Sequence, residues 1–304
     1  MKLLKLALAA AGLLAASPLA IAQQADYAAI EAAPAVWSVS DADSTVYLVG
    51  TVHILPPALN WRSDALQVAF EDAEILWLEA DVTSAEATAQ MQTLIPQLGL
   101  NAPGVTLTSM LSDDAKSNLA IIAQRLGAPV EGLSASIDPL QPWLASLTLA
   151  VLQIQAGGYD PNSGVDQALS RDAQAAGKTL RYFETAEEQL RFFADLPMET
   201  QLADLETGLQ QMVDDPDMLS ELVQAWAVGD MDSVDALMNA GMRDTSEAMF
   251  NAIIVQRNLN WAPVIANALE GEDDVLVAVG AGHMPGPHGV IALLRAQGLD
   301  VQRQ

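Results

Sequence analysis

Apolar residues fall into two regimes along this chain. Near both ends they form short unbroken runs that stop at glycine or at a carboxylate; between those ends they recur at helical spacing. Residues 46–49 run into Gly50-Thr51-Val52-His53, residues 275–279 into Gly280-Ala281-Gly282-His283, and residues 75–78 into Glu79-Ala80-Asp81. Such runs read as strands buried on both faces, the habit of parallel sheets. Residues 36–39 and 44–49 flank Asp41-Ala42-Asp43, which predicts a hairpin, and Ser63-Asp64 opens a helix to about Ala73.

Helical patterns dominate from Ser84 to about Gly271. Ser112-Asp113-Asp114 caps a helix that runs to Arg125 and is ended by Gly127. Residues 141–155 are apolar nearly all round, which predicts a central buried helix. Residues 217–240 and 246–269 are long amphipathic stretches, broken by Gly229 and strained by Pro263. Within this region a helix over 165–176, ended by Gly177, leads into a strand over 178–184 that delivers Glu184 at its end. A helix over 290–297 and a last strand near Asp300-Val301 close the chain. The pattern predicts an α/β fold: one domain over 23–304, with a central, mainly parallel sheet built from N- and C-terminal strands and a large helical insert at roughly 84–271.

The first residues read differently. Lys2 and Lys5 precede an Ala/Leu-rich run over 6–16, and Ala20-Ile21-Ala22 offers a cleavage site before Gln23. Residues 1–22 are therefore expected to be a cleaved export signal, with the mature chain in a periplasm or secreted. The run is too short for a membrane span, and with no cysteine there is no lipid attachment point at the cleavage site, so no membrane anchor is expected. The lack of cysteine also removes thiol nucleophiles and thiolate metal sites. Acidic residues outnumber basic ones 39 to 13, and dropping Lys2 and Lys5 takes the formal charge from −26 to −28. Such a surface repels phosphate backbones, which argues against a nucleic-acid partner.

The candidate chemistry lies at the strand ends, where open α/β sheets bind their ligands. His53, Glu79 and His283 together make a two-histidine, one-carboxylate set suited to a divalent transition metal such as manganese, cobalt or zinc, with positions left for water. Glu79 serves there either as ligand or as general base. The plainer account has Glu79 capping the next segment and each histidine bonded to backbone. Asp166 opens a helix, where it either caps or supports the site from behind. Arg257 and Asn258 sit in a mainly apolar helical stretch. An arginine there needs an anion, either Glu184 or Asp166 in an ion pair or a developing oxyanion. His288 is either solvated or a third imidazole. No G-x-S-x-G elbow, phosphate-binding loop or H-E-x-x-H helix is present.

At these residues the chain resembles the TraB/GumN family, with its PrgY-like and Tiki-like members. The resemblance runs from about Trp37 to Val301. It is carried by Tyr47-Leu48-Val49-Gly50-Thr51-Val52-His53, Leu76-Trp77-Leu78-Glu79, Gly164-Val165-Asp166, Phe183-Glu184-Thr185, Gln256-Arg257-Asn258 and Val279-Gly280-Ala281-Gly282-His283-Met284-Pro285-Gly286 with Gly289-Val290. It implies an α/β fold related to the erythromycin-esterase-like and ChaN-like proteins, with paired Gly-x-x-His motifs and a glutamate forming the site. Tiki-like members are metal-dependent peptidases that act on extracellular signalling proteins. Carried over, His53, Glu79 and His283 become metal or catalytic residues, with Arg257 supporting them. Related sequences have an acidic residue after the Pro-Gly turn where this one has Pro287-His288, which leaves His288 unassigned. The implied function is an exported metal-dependent hydrolase, a peptidase taking a peptide or protein substrate. The rivals are a non-catalytic periplasmic metal, haem or peptide binder, and a metal-free hydrolase with histidine as base.

Overall fold

The computed structural model describes residues 26–81 and 83–304. The expected leader, residues 1–22, and Gln23 lie outside the described residues. Contacts divide the described chain into two compact units, one of 83–158 with 186–217 and one of 26–81 with 159–185 and 218–304.

The first unit is helical. Leu107, Leu111, Leu119, Ile122, Ile137, Leu149, Leu205 and Leu209 form its core. Ser112 caps the helix Asp113–Arg125 through its hydroxyl, which accepts from the Ala115 amide. The helix Pro142–Ala156 departs from expectation. Only Pro142, Trp143, Ala145 and Leu149 are buried, and Leu147 is 38% exposed. Its apolar residues encircle the helix, but neighbouring helices cover one side of it.

The second unit carries the sheet, with strands β1 (Val36–Ser40), β2 (Thr45–Thr51), β3 (Ile75–Ala80), β4 (Thr179–Glu184), β5 (Val275–Gly280) and β6 (Gln302–Arg303). Their spatial order is β4-β3-β5-β2-β1-β6. β2, β5, β3 and β4 run parallel, while β1 pairs antiparallel with both β2 and β6. Val46, Leu48, Val49, Leu76, Val277, Ala278 and Val279 are almost wholly buried, as unbroken apolar runs require. β4 is an edge strand, and its sequence is accordingly mixed and its residues more exposed.

Asp274 sets the strand starts. Its carbonyl accepts from the Glu74 and Ile75 amides, and its carboxylate accepts from the Thr45 amide at 2.6 Å. With β2, β3 and β5 started level, Thr51 pairs with Gly280, and Leu78 with Ala278. Their carboxyl ends therefore finish side by side.

Helices α1 (Asp64–Asp72), α2 (Val165–Ala176), α3 (Gln256–Asn267) and α4 (Val290–Ala296) accompany the sheet. α2 ends at Gly177, whose φ of +72° needs glycine. The stretch between Gly229 and α3 differs from plain amphipathic helix. It holds two π turns, Asp235–Ala240 and Asn251–Val255, which widen the helix and shift which residues face inward. No helix among the described residues is long and apolar enough to cross a membrane.

Candidate active site

Both Gly-x-x-His loops leave the sheet at adjacent strand ends, and glycine makes their packing possible. A side chain at Gly50 would stand 2.8 Å from the Ala281 backbone. One at Gly164 would collide with the His53 carbonyl, so only glycine lets the start of α2 approach that loop, where the Val165 amide donates to Val52 O at 3.0 Å.

That approach brings Asp166 to His53. Asp166 Oδ2 lies 2.8 Å from His53 Nδ1, and Oδ1 accepts from the Thr51 hydroxyl at 2.6 Å. A carboxylate can only accept, so Nδ1 carries the proton and Nε2 faces outward from the pair. The side chain of His53 is 63% exposed and that of Asp166 only 14%. The Asp166 charge raises the His53 pKa against the opposing effect of burial. Water screens so open a ring and weakens the pair.

Glu79 is the penultimate residue of β3 and is 8% exposed. Its Oε1 accepts from the Gly280 amide at 2.6 Å, and its Oε2 accepts from Arg257 Nη2 at 2.5 Å. Burial pushes its pKa up, but interactions with the neighbouring His283, with the Arg257 and His53 charges and with the Gly280 amide outweigh that and hold it at about 2.

Arg257 is the hub. Nε and Nη2 donate to the two oxygens of Glu184, both at 2.9 Å, and Nη2 also donates to Glu79. Nη1 donates to Ile253 O at 3.2 Å and to His283 Nε2 at 3.1 Å. Those five bonds use the full donor capacity of a guanidinium. Of the partners the sequence allows for Arg257, the structure pairs it with Glu184, adds Glu79, and leaves no donor for an oxyanion in this arrangement. Burial disfavours its charge, yet Glu79 and Glu184 raise its pKa overall.

His283, 4% exposed, is fixed by Asn258. The Asn258 amide nitrogen donates to two backbone carbonyls, His283 O at 3.2 Å and His288 O at 2.8 Å, so its Oδ1 is the atom facing His283 Nδ1 at 2.7 Å. Nδ1 therefore carries the proton and Nε2 a lone pair. Burial pushes the His283 pKa down to about 3, Glu79 opposing and Arg257 and His53 assisting, so the ring is neutral at pH 7. Trp261 lies against it with ring centres 4.5 Å apart, and the Arg257 guanidinium sits 4.6 Å from the same indole.

The three expected centre residues thus converge. A Cβ placed on Gly280 would stand 3.0 Å from Glu79 Oε1, 3.6 Å from His283 Cδ2 and 3.7 Å from His53 Nε2. His53, Glu79, His283, Asp166, Glu184, Arg257 and Asn258 form one connected network. His288 contributes its carbonyl, while its exposed ring packs edge-on against Phe250.

In kind, the donors fit a divalent transition metal. Each histidine ties Nδ1 to a side-chain oxygen and turns Nε2 toward the centre, the outer hydrogen bonding typical of ligating imidazoles. As placed, no three His, Asp or Glu side chains among the described residues form a ready metal-holding group. Arg257 takes the His283 lone pair and shares Glu79, so binding requires the guanidinium to draw back.

Sequence reasoning missed Thr51, Trp226, Asn239 and Trp261. Thr51 stands two residues before His53, on the same side of an extended backbone, a usable signal. Trp226 Nε1 donates to Gly50 O at 2.7 Å and holds the first loop, but its sequence context is simply apolar.

The family model described as TraB/PrgY/gumN family matches residues 35–303. The uncharacterized protein YbaP of Escherichia coli (strain K12) is 25% identical over 251 residues, which cover 82% of this chain and 87% of YbaP. The uncharacterized protein YbaP of Shigella flexneri matches to the same extent.

Proposed function

Because the chain belongs to the TraB/PrgY/GumN family, we propose that its strand-end site is a metal-dependent hydrolytic centre and that the protein is an exported peptidase. The observation that carries the reading is the paired presentation of Nε2 by His53 and His283 beside Glu79 Oε1, around the bare Cα of Gly280. His53, Glu79 and His283 would hold manganese, cobalt or zinc; such an ion supplies Lewis acidity and a water acidic enough to ionise near neutral pH.

The protein's own groups have separable tasks. Asp166 orients His53, and Asn258 orients His283. Arg257 keeps Glu79 ionised. A carboxyl held at about 2 accepts protons poorly at neutral pH, which favours Glu79 as ligand over Glu79 as general base. To hold such an ion His53 would have to be free of its Nε2 proton. Export rests on the leader at residues 1–22, and a peptide substrate rests on the Tiki-like resemblance.

One observation favours a second reading. His53 is exposed and backed by Asp166, and above its raised pKa, with Nε2 unprotonated, it has the arrangement of a general base that needs no metal.

Elemental analysis of the mature protein and of a His53→Ala/His283→Ala double variant, followed by a peptide-library screen with and without chelator, separates the two. One equivalent of metal, lost in the variant, with chelator-sensitive cleavage is the expected result. Chelator-insensitive cleavage, or no metal after incubation with all three ions, sinks the metal reading. Intact activity in the double variant sinks both.

A further inference from the structure

Two successive carbonyls of the loop bearing His283 are gripped by buried asparagines. Asn258 Nδ2 holds His283 O, and Asn239 Nδ2 holds Gly282 O at 2.9 Å while also donating to Asp235 Oδ1 at 2.8 Å. Asn239 is 1% exposed and belongs to the π turn Asp235–Ala240. Both of its amide contacts are to oxygens that can only accept, so the amide cannot flip. Its own Oδ1 is left with no hydrogen-bond partner among the described residues, facing the bare side of Gly282, where a Cβ would stand 3.2 Å away. A buried oxygen without a donor is a standing cost, and an apolar side chain would avoid it if packing were the only demand.

The same turn reaches the far end of the loop. A Cβ on Gly286, whose φ is +78°, would stand 3.0 Å from Asp235 Oδ1. Asp235 is in turn 3.9 Å from Arg243. Residues 235 and 239, four apart in this turn, share one face and meet the loop together.

We propose that Asn239 is a positioning residue for His283. Its hold on Gly282 O fixes the Gly282–His283 peptide plane and so the direction in which the His283 side chain leaves the backbone; Asn258 then fixes the ring, and Nε2 is presented to Glu79. The π turn Asp235–Ala240 is the element that carries Asn239. The assignment rests on the reading of His283 as a functional imidazole.

The test compares wild type with Asn239→Leu, which keeps the branched shape and removes the amide, and with Asn239→Ser, which retains one donor. Each folded protein is examined metal-free by long-range 1H–15N NMR of the histidine rings, then titrated with cobalt. In Asn239→Leu the His283 ring signals should shift or broaden while those of His53 stay put, and cobalt affinity should fall about tenfold or more, the usual loss when an outer partner of a ligand is removed. Asn239→Ser should fall between Asn239→Leu and wild type, and it carries the test if Asn239→Leu does not fold. Unchanged His283 signals with wild-type cobalt affinity in folded variants would overturn the proposal. Cobalt binding absent from wild type itself would defeat the metal reading, and the ring signals would still decide the role of Asn239.

Discussion

Arg257 and Glu184 meet as fork to fork: two guanidinium nitrogens donate to the two oxygens of one carboxylate, each at 2.9 Å. Both side chains are under 10% exposed, and Glu79 shares the same cation. Burying three charges this way is economical only while all three are present. Arg257→Leu should therefore destabilise the protein by about 3–5 kcal/mol at neutral pH, the cost of a broken buried pair, as read by urea denaturation. The pH dependence has a definite sign. Glu79 is held at about 2 in the fold against an ordinary 4.5, so its contribution is full above the unfolded value and is lost as pH falls toward 2. The gap between wild type and variant should narrow on acidification from pH 6 to pH 3. A gap that stays constant would mean the loss is one of packing.

Asp166→Asn bears on His53. The asparagine keeps the shape but removes the charge that raises the imidazole pKa, so an NMR titration should find the His53 pKa lower in the variant. A raised histidine pKa stabilises the fold fully below the unfolded value, and that contribution fades as pH rises through the folded one. The stability deficit of Asp166→Asn should accordingly be largest near pH 6 and shrink toward pH 10. It should not exceed about 1 kcal/mol, since the ring is exposed. An unmoved His53 pKa would show that the contact is not a charge pair in solution.

Gly280→Ala fills the point where the three centre residues meet. The new methyl would press on Glu79 Oε1 at 3.0 Å and sit in contact with both imidazoles. Circular dichroism should report an intact fold; under the proposed metal reading, metal uptake should drop at least about tenfold, the scale of loss for a disturbed metal shell. Wild-type metal stoichiometry in this variant would place the ion elsewhere.

Trp226→Phe tests the support of the first loop. It retains most of the buried ring but removes the donor to Gly50 O. An expected loss of about 1–3 kcal/mol follows from leaving that carbonyl unpaired, measurable by thermal melting. His53 should become more mobile, seen as a changed NMR linewidth of its ring.

What could be read in advance followed from local rules. Runs such as 46–49 and 275–279 are apolar on both faces and end on glycine, so their strand character and the location of His53 and His283 at strand ends are visible before folding. Glu79 follows from the same rule. The position of β5 between β3 and β2 is not visible, because strand order is decided by pairings between distant segments. Asn239 and Trp226 were hidden for another reason. A π turn changes the helical phase, so counting at 3.6 residues per turn assigns the wrong face, and a tryptophan in an apolar stretch does not announce its one N–H. Residues 141–155 misled in the opposite sense: apolar composition on every side does not guarantee a neighbour on every side.

The central placement of β5 makes the site a late arrival in the life of the chain. As the chain is synthesised, β1 to β4 with Glu79, His53, Asp166 and Glu184 are made long before residues 275–283. Until β5 slots in, the β3–β4 and β1–β2 halves have no strand to join them, and the second imidazole does not yet exist. The site is therefore assembled in one late step, with the closing of the sheet. An unfinished chain carries Glu79, His53, Asp166 and Glu184 without the strand that brings them together.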